Sequence, residues 1–127
     1  MVATPLPDAS KEFLCESLID MNKDGYAKSA YKNTGKIHAP AIASMSCFII
    51  NRTVLADMIH RFLPANPKLY IQTLIYQAAE EGEYQVHVHL YDGYRRCIDS
   101  FKAYTDMCFE LLDPQVASKL FLPDWPL

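Results

Sequence analysis

His87 and His89 are the residues whose type and spacing come nearest to a chemical site. Around them Tyr84, Val86, Val88 and Leu90 alternate with Gln85, His87, His89 and Tyr91. Period-two alternation predicts a strand with one buried face, so both imidazoles share its other face, about 7 Å apart along the chain and within reach of one metal ion. Zinc is the cofactor such a pair would take, but a catalytic zinc centre needs a third protein ligand and an open position. Asp92, His38 and His60 are candidates for that ligand, with Glu81 or Glu83 as acids that orient the rings, and nothing in the spacing brings any of them to the pair. A His-x-His dyad without spaced partners reads first as two solvated histidines, so no cofactor is expected and zinc is the alternative.

Other constellations are weaker still. Asp20-Met21-Asn22-Lys23-Asp24-Gly25 resembles the opening of a calcium-binding EF-hand or dockerin loop, with oxygen ligands at alternate positions and then glycine. It departs from that pattern at Ala27, where an apolar loop residue belongs, and at Tyr31, where a bidentate glutamate belongs. A turn that ends a helix is the expectation there. Lys23, Lys28, Lys32 and Lys36, with Tyr26 and Tyr31 between them, carry net +3 once Asp24 is counted, a solvated stretch with the ingredients of a nucleic-acid surface. Cys15, Cys47, Cys97 and Cys108 form no Cys-x-x-Cys pair, and their apolar neighbours predict buried free thiols. No Ser/His/Asp order, Gly-rich phosphate loop or nucleophile signature occurs, so the chain reads as a non-enzyme more readily than as an enzyme.

Aromatic excess points elsewhere. Eight tyrosines, six phenylalanines and one tryptophan exceed what so small an interior hides, and such residues favour protein interfaces. Tyr91, Arg95, Arg96, Phe121 and Trp125 are the expected partner-binding residues. Arg95 and Arg96 stand at the predicted start of a helix, where cations oppose the macrodipole and so suggest an acidic neighbour such as Asp92 or Asp99, or an anionic ligand.

The elements that must position these residues follow from spacing. Phe13, Leu14, Leu18, Ile19 and Met21 predict a helix over 9–21, and the polar stretch after it predicts a long loop over 22–40. The apolar run 41–50 fits a buried strand or the start of a buried helix. Asn51 caps a predicted helix over 52–63, whose stripe is Val54, Leu55, Met58, Ile59 and Phe62. Pro67 opens another over 67–81, apolar over so wide an arc that it should touch partners on two sides. A strand over 83–91, a long helix over 94–112 and an apolar tail over 114–127 complete the chain.

At 127 residues and 50% hydrophobic, the sequence predicts one packed domain over 1–127 of α+β class, mainly helical, with four or five helices and a small sheet; an all-α bundle is the alternative. Net charge −3 argues against a domain that grips nucleic acid. No apolar run is long enough for a membrane helix, and no signal-peptide pattern opens the sequence, so a soluble, cytoplasmic protein is expected. These features suggest a small protein-interaction domain, a regulator, inhibitor, adaptor or chaperone that binds another protein and forms a homodimer. The alternative is a small metal-dependent enzyme or metal sensor built on the His-x-His pair.

Overall fold

The computed structural model describes residues 1–7, 16–37, 39–65, 67 and 70–122. The chain divides into two compact units, Met1–Tyr91 and Asp92–Leu127.

The first unit is built on a five-stranded mixed sheet rather than on helices, which overturns both the mainly helical architecture and the all-α alternative. Strands β1 (Val2–Leu6), β2 (Ser17–Met21), β3 (Ala27–Lys32), β4 (Ala41–Cys47) and β5 (His89–Leu90) lie in the order β3-β2-β4-β1-β5. The β1–β4, β2–β3 and β2–β4 pairs are antiparallel, and β1–β5 is parallel. Part of the helix expected over 9–21 is therefore strand β2, while residues 8–15 fall outside the described residues. The expected long loop over 22–40 contains β3, and the ambiguous run after it is strand β4.

Adjacent residues of the inner strands are both buried: Ala3 with Thr4, Leu18 with Ile19, and Ala43 with Ser44. A sheet covered on both faces removes the period-two pattern, and Leu18-Ile19 can then pass for part of a helical stripe. The Asp20–Gly25 turn closes the β2–β3 hairpin instead of ending a helix. The Asn22 side-chain oxygen accepts from the Asp24 and Tyr26 amides at 3.0 and 2.8 Å, and Gly25 takes φ +84° to complete the turn.

Two helices follow β4. Helix α1 (Arg52–Phe62) starts where Asn51 Oδ1 accepts from the Thr53 amide at 2.9 Å. Helix α2 (Ile71–Glu80) begins later than the proline at 67 suggests. Its wide apolar arc is used on two sides, as expected. Tyr76 and Ala79 pack with Ala3, Ile19, Ala27 and Val88, while Leu74, Ile75 and Ala78 pack with Met58 and Phe62 of α1. Full burial of a side chain such as Leu74 or Ile75 is worth about 1.5–3 kcal/mol, so α2 ties α1 to the sheet.

The second unit holds helices α3 (Phe101–Glu110) and α4 (Pro114–Leu120). The single helix expected over 94–112 is shorter, because Ser100 competes for its start: the Ser100 hydroxyl accepts from the Ala103 amide at 3.1 Å. Leu111 closes α3, and Asp113 caps α4, accepting from the Gln115 amide at 2.8 Å with Pro114 at the first helical position, so part of the expected tail over 114–127 is helical. No helix among the described residues is long and apolar enough to cross a membrane.

Candidate functional site

The histidine pair lies beside the β2–β3 turn. The Val88 amide donates to the Gly25 carbonyl at 2.8 Å, the Ala27 amide donates to the Val86 carbonyl at 2.9 Å, and His87 bridges Tyr26. Val88 is 4% exposed while His87 and His89 are exposed, so both imidazoles face outward and the alternation holds around Val88; beyond it Leu90 is 45% exposed, and of the strand expected over 83–91 only His89–Leu90 forms, with His87 an isolated bridge. The His87 ring meets the Tyr26 ring edge-on, with centroids 5.6 Å apart.

Of the third-ligand candidates, only His60 can be placed against the pair within the first unit. His60 sits on the exposed side of α1, Asp92 opens the second unit and His38 lies outside the described residues. Glu81 and Glu83 are held by Arg61 instead of orienting a ring. Among the described residues no group of three His, Cys, Asp or Glu side chains gathers to hold a metal.

One end of the first unit carries an apolar cleft of about 300 Å³ that the sequence did not disclose. Its walls come from Met1, Phe48 to Asn51 after β4, Val54 and Met58 on α1, Ile75 on α2, and Tyr84 to His87. Phe48 and Val86 also pack against both apolar clusters of the unit, so the cleft opens where the sheet layer meets the helix layer. At its rim Ile49 is 94% exposed. The Met1 amine, which also lines the cleft, donates to the His87 carbonyl at 2.6 Å, and burial holds its pKa below the ordinary value. Tyr84 donates its hydroxyl to Asp57, a bond to the neutral phenol that raises its pKa.

The expected partner-binding residues have mixed fates. Tyr91 is half-buried, and its amide continues the β5 pairing by donating to the Ala3 carbonyl at 2.8 Å. Arg95 and Arg96 precede α3 instead of opening it, so the macrodipole argument does not apply to them. Arg96 pairs with Glu110, a partner fourteen residues on rather than the nearby Asp92 or Asp99, and Tyr94 donates to the same carboxylate at 3.1 Å. Burial first, and then that bond, raises the Tyr94 pKa. Arg95 is half-buried. Phe121, just beyond α4, is exposed, and Trp125 lies outside the described residues.

Helix α3 presents the larger apolar surface. At 100° per residue Phe101, Tyr104, Cys108 and Phe109 share one arc of α3, and they and Leu112, in the turn that follows, are exposed: Phe101 84%, Tyr104 51%, Phe109 68% and Leu112 76%. Ala103, Met107 and Glu110 lie on the opposite side, are half-buried, and include the carboxylate that binds Tyr94 and Arg96. The amphipathic helix is thus turned with its apolar face outward. Cys108, expected to be buried, is part of that face, and Cys47 is exposed as well, which corrects the reading of both as interior thiols. Cys108 lies one turn from Tyr104, and a side-chain hydrogen bond between the two raises the Tyr104 pKa.

No known protein family matches this chain, and no curated protein matches it in sequence.

Proposed function

We propose that this chain is a protein-interaction domain, a regulator, inhibitor, adaptor or chaperone that works by contact and forms a homodimer through α3. The observation that carries this reading is the outward apolar arc of α3, which a lone soluble helix would turn inward. At about 200 Å² per side chain, Phe101, Tyr104 and Phe109 on the arc and Leu112 in the turn after it expose roughly 550 Å², against about 800 Å² per partner in a standard interface. No charged residue lies among Phe101, Tyr104, Cys108, Phe109 and Leu112, and beside them Lys102 pairs with Asp106 at 2.6 Å within the helix. A second copy can therefore approach without the like-charge repulsion that a two-fold interface doubles. Exposed thiols at Cys47 and Cys108 suit a reducing, cytoplasmic setting. Among the described residues the zinc reading has His87 and His89 behind it, two donors where a catalytic centre takes three.

Sedimentation equilibrium of the full chain, from about 1 to 100 μM, tests the proposal in the affinity range usual for such contacts. A concentration-dependent dimer supports it. A monomer throughout that range removes the homodimer.

A further inference from the structure

We propose that the cleft of the first unit binds a small monocarboxylate with an apolar tail, of about the size of octanoate. At about 30 Å³ per displaced water, a 300 Å³ cleft holds the volume of roughly ten waters, which sets the ligand at about ten heavy atoms. Phe48, Val54, Met58 and Val86 give it apolar walls, and none of its lining residues is Asp, Glu, Lys or Arg. A tail seated there gains contact with side chains that are otherwise only half covered, as Phe48, Val54 and Val86 are.

The polar end selects an acceptor. Asn51 Oδ1 already accepts from both the Thr53 amide and the Thr53 hydroxyl, at 2.9 and 2.6 Å, so its side chain has only amide N–H groups left to offer a ligand. His87 is exposed at the same cleft and brings an imidazole N–H. Tyr84 has turned its hydroxyl proton to Asp57, outside the lining. Amide and imidazole donors, apolar walls and no lining carboxylate match a carboxylate head on a hydrocarbon tail. The lining offers an amine no carboxylate to pair with, while the Asn51 amide N–H groups can donate to a carboxylate oxygen.

Methyl NMR on the full chain, titrated in parallel with octanoate, octanol and octylamine, tests the assignment. Octanoate is expected to saturate with a dissociation constant of about 100 μM, shifting the methyl signals of Val54, Met58 and Val86; octanol should bind about tenfold more weakly and octylamine not at all. Asn51→Asp keeps a good helix cap while replacing the donor with a carboxylate, and is expected to weaken octanoate at least about tenfold and leave octanol unchanged. Val54→Trp fills the cleft and should abolish binding of both. The assignment is overturned if octanoate gives no saturable shift at these methyls up to about 5 mM, if octylamine binds as tightly, or if Asn51→Asp leaves octanoate binding intact.

Discussion

Replacing Phe101 and Phe109 together with serine separates a docking role for α3 from a packing role. Covering a phenylalanine fully is worth about 1.5–3 kcal/mol. With 84% and 68% of the two residues exposed in the free unit, complete coverage by a partner is worth roughly 2.3–4.6 kcal/mol per copy. Removing the pair should therefore weaken association by about fifty- to two-thousandfold, and by more in a two-fold dimer, where the loss occurs on both sides. The same substitutions remove little packing from the folded chain, because exposed side chains away from caps and cores usually change stability by less than about 0.5 kcal/mol. Sedimentation equilibrium reads the first quantity, and urea denaturation of the variant at a concentration where the wild type is monomeric reads the second. A variant that loses about 2 kcal/mol or more of stability would show that the two rings pack within the chain, and the docking argument for α3 would fall. A variant that dimerises like the wild type would place the interface elsewhere.

The remaining predictions concern the elements that hold the candidate sites. The Tyr84 phenol should titrate above its ordinary value of 10.0 because its hydroxyl bonds to Asp57, and Asp57→Asn should bring it down, as followed by phenolate absorbance; an unchanged titration would mean that the bond is not made in solution. Since the folded-state pKa is raised, the stabilisation from that bond is fully present below pH 10.0 and lost as the pH climbs through the raised value. Gly25→Ala should cost about 1–2 kcal/mol through backbone strain alone, because φ is +84° while an added Cβ would stand an ordinary 3.5 Å from His87 Nε2; a neutral effect in denaturant melts would contradict the positive φ. Ser100→Ala removes the α3 cap and should cost about 1 kcal/mol, whereas the same change at Ser118, whose hydroxyl donates to the Gln115 carbonyl within α4, should cost less.

What could be read from the sequence depended on whether a residue's environment came from its neighbours along the chain or from elsewhere. The Asn51 cap and the α1 stripe were legible because cap and periodicity are local, and so was the outward placement of His87 and His89, since Val88 between them is the buried residue. Strand β1 was not, because Pro5 interrupts its apolar run. The pairing with β5 covers Val2 and Ala3, so no β5 ladder bond is asked of the Pro5 nitrogen. Strand β3 hid for a different reason. It carries Lys28, Tyr31 and Lys32 exposed at the sheet's outer edge, the composition that keeps an edge strand from pairing with other chains and that also reads as loop.

The same contrast applies to the two candidate surfaces. The arc of α3 could be drawn from spacing, but spacing alone assigns an apolar arc to the interior. On the opposite side of the helix Glu110 binds Tyr94 and Arg96, contacts across sixteen and fourteen residues that spacing along the helix does not reveal. At the cleft, Val54 and Met58 were correctly placed on the buried side of α1. Its other walls, Phe48 and Val86, come from stretches nearly forty residues apart in sequence. Apolar periodicity states that a face is covered and leaves open how completely, and the incomplete cover between α1 and the Tyr84–His87 stretch is the physical origin of the space.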